Sequence, residues 1–443
     1  MIIVDKALQF REDIGNPIRV GIIGAGYMAL GIVNQIVRYT PGMEVAVICN
    51  RSIDKAIRCY QKAGISKVAV VQHATSLDNL IQLKQAAVTD DPAVVCEAEE
   101  VDILVEVTGT IEYAARVVLK SVENGKPVVL MNAELDATLG PILKHYADKR
   151  GVILSGSDGD QPGVIMNLYR FVKNMGFTPL VLGNIKGFLD LHKNPDDMLA
   201  FAENMGQNVN MITNFTDGTK IAFEQASVAN ATGFGVARRG MNAFRSKEHI
   251  DKLTGLYDVD ELKALGGIVD YAVGPQPGPG VYVYATTEDE MSKEYLNYLK
   301  LGKGPIYSFY TPYHLCYFEV PNSIARVFHF NDAVMAPVGA PQVEVVTTAK
   351  TDLKAGTRLD GFGGYTSYGQ CENAEICQQQ HLLPIGLSDG VVLKRDIPRD
   401  QAISFEDIIY PEDSFIFKLY EEQAKCFFPE MARQRASEKQ YHH

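Results

Sequence analysis

Arg19-Val20-Gly21-Ile22-Ile23-Gly24-Ala25-Gly26-Tyr27-Met28-Ala29 is a short apolar run that breaks on glycines and restarts as a helix. The apolar residues that follow (Ile32, Val33, Ile36, Val37) keep helical spacing with Met28 until Pro41-Gly42 stops them. The motif is therefore G-x-G-x-x-A between a strand and a helix. Gly24 permits the tight turn, and Gly26 lets the backbone approach a pyrophosphate. Ala29 lets helix and strand pack closely, and the free N–H groups of the helix N-terminus face the anion. Gly24, Gly26, Tyr27 and Met28 are the expected cofactor contacts here.

Beyond the motif the pattern repeats. Apolar strand-like runs at 44–49, 102–107, 127–131 and 151–154 alternate with helical runs at 111–124 and 140–149. Continuous apolar strands separated by helices predict an α/β chain whose N-terminal domain is a doubly wound parallel sheet. That Rossmann domain is assigned to residues 1–155. Residues 156–340 are richer in Gly, Asn, Tyr and Pro, with a loop at Gly274-Pro275-Gln276-Pro277-Gly278-Pro279-Gly280. They are read as a central α+β substrate and oligomerisation domain, whose end either stays with it or returns to the Rossmann domain. Short β-like pieces at 343–348 and 391–394 mark a small β-rich domain over 341–443 that ends in a tail. The closing Tyr441-His442-His443 is set aside.

Composition bounds the function. With 443 residues, about three domains fit. The 42 basic and 54 acidic residues give a net charge of −12, which argues against general nucleic-acid binding. No apolar run is long enough to span a bilayer, and residues 1–19 lack the apolar core of a signal peptide. Seven scattered cysteines without a CxxC pair read as reduced thiols of a cytoplasmic protein.

The residues that carry chemistry cluster at strand ends. The second strand closes on Cys49-Asn50-Arg51-Ser52, with no carboxylate to hold ribose hydroxyls. Asn50 and Arg51 suit a 2′-phosphate, so NADP(H) is the expected cofactor. Thr108, Gly109, Asn132 and Glu134 lie at later strand ends, where the nicotinamide half would sit; helix capping is the plain alternative for the last two. Asp158 and Asp160, on a Gly-rich loop, suit a divalent metal (Mg or Mn) or polyol hydroxyls; a solvated acidic turn fits equally. Lys186 follows an apolar run between glycines and can donate to an oxygen whose charge changes during hydride transfer. Glu224 is a metal-ligand or acid/base candidate, as are Glu134 and Asp160. Lys303 stands between glycines, and His314 follows Tyr310-Thr311-Pro312-Tyr313; both are candidates to hold a substrate's anionic end.

Residues from about 17 to 335 resemble the homoserine-dehydrogenase-like oxidoreductases, and among them the deoxyxylulose-phosphate-reductoisomerase-like proteins. The resemblance rests on Ile18-Arg19-Val20-Gly21-Ile22-Ile23-Gly24-Ala25-Gly26, Met131-Asn132-Ala133-Glu134, Gly302-Lys303-Gly304-Pro305 and Pro312-Tyr313-His314-Leu315. Ala349-Lys350-Thr351-Asp352-Leu353-Lys354-Ala355-Gly356-Thr357, Leu383-Pro384-Ile385-Gly386-Leu387 and Arg395-Asp396-Ile397-Pro398 resemble a SAF domain, a small β-clip. The resemblance implies an NADPH-linked enzyme, a homodimer or homotetramer, acting on a small molecule. In the reductoisomerase-like proteins, 1-deoxy-D-xylulose 5-phosphate becomes 2-C-methyl-D-erythritol 4-phosphate with help from a divalent metal. The chain departs from that pattern at Ala29, at Asp158-Gly159-Asp160-Gln161-Pro162-Gly163 and at Gly183-Asn184-Ile185-Lys186. Two rivals stand beside it. One is a metal-independent homoserine-type or polyol/hydroxy-acid dehydrogenase. The other is a non-catalytic NADPH-binding assembly protein.

Overall fold

The structure is a computed structural model that describes residues 3–433; Tyr441-His442-His443 lies outside them. Residues 3–433 form two compact units. The first comprises residues up to 136, 143–163 and 315–336. The second comprises residues 137–142, 164–314 and those from 337 on.

The first unit is built on seven parallel strands: β1 (Ile18–Ile23), β2 (Met43–Cys49), β3 (Val68–Val70), β4 (Ala86–Thr89), β5 (Ile103–Glu106), β6 (Val128–Leu130) and β7 (Leu154–Gly156). Their order is β3-β4-β2-β1-β5-β6-β7. The order reverses between β1 and β5, which opens a crevice beyond the carboxyl ends of those strands. The apolar runs are continuous because helices cover both faces of such a sheet. The helix Tyr27–Tyr39 buries Ala29, Ile32, Val33 and Ile36. The segment 315–336 completes this core: Val320, Ile324, Ala325 and Val327 join the same buried cluster as Ile18, Val20 and Ile22.

The expected helix at 140–149 is longer than the sequence suggested and runs Ala133–Arg150 through Pro141. It starts early because the Asn132 Oδ1 accepts the Leu135 N–H, while Glu134 and Asp136 complement the positive end of the helix.

The second unit holds a mixed sheet of β8 (Thr178–Lys186), β9 (Phe244–Arg245), β10 (Ile268–Val273), β11 (Gly280–Thr286) and β12 (Tyr307–Thr311), in the order β12-β11-β8-β10-β9. β8, β9 and β10 are parallel, while β11 and β12 are antiparallel. One face of the sheet is filled by Tyr257, Tyr282, Tyr284 and Phe244. The helix Thr219–Thr232 lies on the other. C-terminal to these come two small antiparallel ladders, β13 (Val343–Ala349) with β14 (Ser367–Asn373), and β15 (Val392–Leu393) with β16 (Ile408–Ile409). The first of them packs on the helix Thr219–Thr232. The Gly369 N–H donates to Thr219 Oγ1 at 2.8 Å, and the Val343 N–H donates to Asn230 Oδ1 at 3.1 Å.

A buried ion pair fixes the start of that helix. Lys350 Nζ donates to Asp217 Oδ2 (2.8 Å), Lys193 O (2.8 Å) and Gly364 O (2.7 Å). Every proton of the ammonium is used, and neither side chain meets solvent. Removing one partner strands the other as a buried charge, at a cost of about 3–5 kcal/mol. Lys350→Met should therefore lower the unfolding free energy extrapolated from urea titration by about 3–5 kcal/mol. A loss below about 1 kcal/mol would show that the pair is not holding these segments.

Candidate active site

In the first unit, Gly24 has φ +118°, which only glycine adopts without strain, and a Cβ there would stand 3.1 Å from the Val107 carbonyl oxygen. Gly26 caps the helix Tyr27–Tyr39 without a side-chain hydrogen bond, and a Cβ at Gly26 would meet nothing within 4 Å. The helix N-terminus is thus open to an anion, and these residues fit a dinucleotide's pyrophosphate. Tyr27 is exposed and Met28 half-buried. At the end of β2, Arg51 is exposed, while the Asn50 Nδ2 donates to the Ser52 carbonyl oxygen at 2.9 Å.

The crevice beyond β5 and β6 contains a residue that the sequence reading did not select. Glu106 ends β5, fully buried. Its carboxylate accepts from the Thr108 N–H (2.8 Å), the Thr108 hydroxyl and the Asn132 Nδ2 (2.8 Å). Asn132 also donates to the Thr110 carbonyl oxygen at 2.7 Å. Asn132 is thus both helix cap and crevice residue. Glu134 is buried in the first turn of the same helix, and Gly109 turns the chain at φ +68°. Burial pushes the Glu106 carboxyl up to about 7, with Glu134 adding to the rise and the hydrogen bonds opposing it. A carboxylate that ends an apolar strand run was the signal available for Glu106.

The expectation of an Asp158–Asp160 metal pair needs correction at Asp158. Its carboxylate faces the fully buried guanidinium of Arg326 at 3.7 Å, and Arg326 also holds Asp332 at 2.8 Å. Asp158 serves this buried charge cluster, while Asp160 lines a small cavity with Asn132, Asp136 and Ser157. Near Asp158, burial and that carboxylate's charge raise the Glu319 carboxyl to about 7.

In the second unit the structure brings two predicted residues together. Lys186 ends β8, and its Nζ lies 3.4 Å from the Glu224 Oε2. Asn184, two residues earlier on the same face of β8, donates from Nδ2 to the same oxygen at 3.2 Å. Glu224 and Asn184 are buried, while Lys186 remains one-fifth exposed. Among the described residues the Asn184 Oδ1 has no hydrogen-bond partner, and neither has the hydroxyl of Ser227, one turn beyond Glu224. Together they form a fixed cation, a carboxylate and a spare acceptor. Lys303 is exposed before β12, with no hydrogen bond or ion pair to this group among the described residues, and His314 follows β12, half-buried.

Comparisons with known proteins match two successive stretches of the chain. Residues 24–154 match the family model described as homoserine dehydrogenase, NAD binding domain. Residues 159–320 match the model described as oxidoreductase DRL, catalytic domain. The chain is thus similar to nicotinamide-dependent oxidoreductases over both of these stretches. A homoserine dehydrogenase of Neisseria gonorrhoeae is 28% identical over 138 residues, which is 31% of this chain and 28% of that protein. The chain therefore spans little more than a quarter of that curated relative's length. Among solved structures, a homoserine dehydrogenase from Thiobacillus denitrificans is 18% identical at a TM-score of 0.43, covering 71% of this chain and 74% of that one. A probable dehydrogenase from Thermotoga maritima is 12% identical at 0.40, covering 72% and 90% respectively. No helix among the described residues is long and apolar enough to cross a membrane.

Glu106 and Glu319 bind a proton more tightly folded than at their ordinary value of 4.5. Their contribution to stability is full below about pH 4.5 and is lost as pH rises through about 7. Glu106→Gln should flatten the fall of the unfolding free energy, read by urea titration, between about pH 5 and 7 by up to one proton's worth, about 1.4 kcal/mol per pH unit. An unchanged slope would place the Glu106 carboxyl in the ordinary range.

Proposed function

We propose that this oxidoreductase moves a hydride between NADP(H) and the carbonyl carbon of a small hydroxylated compound. The observation that carries the reading is the Lys186–Glu224–Asn184 group at the end of β8. In the reducing direction the carbonyl oxygen gains negative charge as the hydride arrives, and the Lys186 ammonium hydrogen-bonds that oxygen and passes it a proton. Glu224 holds the ammonium in position. The Asn184 Oδ1 accepts from a neighbouring hydroxyl of the substrate and so selects hydroxylated compounds. In the oxidising direction the same atoms receive the proton. The cofactor, when bound, supplies the hydride. Gly24, Gly26 and the N-terminus of Tyr27–Tyr39 would hold its pyrophosphate, and Arg51 its 2′-phosphate.

The Asp158–Arg326 pair supports the metal-independent dehydrogenase form of this reading, because it occupies one of the two carboxylates that a metal would share. The second reading, a skeletal rearrangement before reduction, is favoured by the motifs at Gly302-Lys303-Gly304-Pro305 and Pro312-Tyr313-His314-Leu315.

The test is NADPH oxidation against a panel of small hydroxyketones and hydroxyaldehydes, some phosphorylated and some carrying a carboxylate. Lys186→Met should lower kcat by roughly 10²- to 10⁴-fold while leaving NADPH binding unchanged. Retained turnover would remove Lys186 from the chemistry. Arg51→Ala should weaken NADPH more than NADH, and equal losses would overturn the 2′-phosphate assignment. Turnover that survives EDTA supports the dehydrogenase. Loss with EDTA and recovery with Mn²⁺ moves the assignment to the rearrangement.

A further inference from the structure

Three parallel strands of the second unit finish in one row. Lys186, Val273 and Arg245 are the last residues of β8, β10 and β9, and the ladder pairs Val273 with both of the others. The row continues into the next peptides, where the Gly274 N–H donates to the Lys186 carbonyl oxygen (2.7 Å) and the Ser246 N–H to that of Val273 (3.1 Å). Residues paired in a parallel ladder project to the same face. Phe244, the other residue of β9, packs into the tyrosine-filled face of the sheet. Arg245 therefore projects to the opposite face, with Lys186 and Asn184. Two strand spacings place its backbone about 10 Å from that of Lys186.

Arg245 is held but not neutralised. One nitrogen of its guanidinium donates to the Leu189 carbonyl oxygen at 3.0 Å, three residues beyond Lys186. Among the described residues Arg245 has no carboxylate partner, and it is exposed. Its charge reaches Tyr271, the β10 residue paired with Asn184, and opposes the rise that burial gives that phenol. An arginine oriented by one backbone bond still has donors free in a planar fork, the geometry that suits a carboxylate or a phosphate.

We propose that Arg245 binds the anionic group, a carboxylate or a phosphate, of the compound whose oxygen Lys186 serves. The inference rests on the proposed role of Lys186 and narrows the substrate to a small hydroxylated carbonyl anion. It also moves the anion-binding duty from Lys303, as the sequence suggested, to a residue on the same sheet face as Lys186. The separation suits a compact molecule with its charge a few bonds from the reacting carbon.

The experiment uses the whole protein saturated with NADPH, so that an added anion does not compete for the pyrophosphate site. Thermal unfolding is followed with inorganic phosphate and, separately, with malonate. One of the two should raise the melting temperature of the natural protein and so name the kind of anion. Arg245→Met should abolish that rise, Arg245→Lys should keep part of it, and Lys303→Met should keep all of it. With a turnover substrate in hand, Arg245→Met should raise KM roughly 10- to 100-fold, as expected for losing a hydrogen bond to a charged group, with a smaller change in kcat. An equal rise in Arg245→Met, or no rise with either anion in the natural protein, overturns the proposal. The melting experiment is independent of turnover. If Lys186→Met instead leaves turnover intact while the Arg245-dependent rise persists, the failure belongs to the reading of Lys186 and not to the anion site.

Discussion

The second unit depends on burying one helix completely. Of Thr219–Thr232, only Lys220 and Thr232 keep appreciable solvent contact. The helix carries Glu224, Gln225, Asn230 and several hydroxyls, and its burial costs less for each of those groups that finds a partner. The sheet takes Gln225 through the Asp270 carbonyl, and the β13–β14 ladder takes Thr219 and Asn230. The Cys371 thiol adds a contact to the Ala222 carbonyl oxygen at 3.1 Å. With so many neighbours fixed, Glu224 has little freedom to leave Lys186. The C-terminal residues are therefore part of the scaffold of the candidate chemistry and not only an appendage.

The first unit obeys a different constraint. Its crevice must present backbone N–H groups and still bury a carboxylate. Glu106 manages the second demand by gathering donors from its own loop and from Asn132. The same residues that shape the mouth of the crevice thereby satisfy the Glu106 carboxylate. Arg326 plays the corresponding part at the return segment, where Asp158 and Asp332 face a fully buried guanidinium.

Much of this was legible in the chain, and for definite reasons. The glycine motif and the apolar strand runs declare themselves through local spacing, so five of the seven strands were readable, whereas β3 and β4 were not. Lys186 and Glu224 were readable as residue types, but their meeting is a property of the sheet and helix together. Asp158 misled because its neighbour Asp160 suggested a metal, whereas its partner Arg326 lies far along the chain. The helix from Ala133 was cut short because Gly140-Pro141 reads locally as a start. Arg245 left no trace, since β9 is only two residues long and shows no periodicity.

The chain path gives the return segment a consequence for biosynthesis. The first unit receives Val320, Ile324, Ala325 and Val327 only after the intervening 164–314 stretch has been made. On the ribosome the seven strands emerge early, yet the apolar face that these residues cover stays open until the chain has grown past 327. The second unit likewise waits for β13 and β14. The nascent protein therefore carries two unfinished cores at once for much of its synthesis. Neither unit can be separated whole by a single cut in the gene.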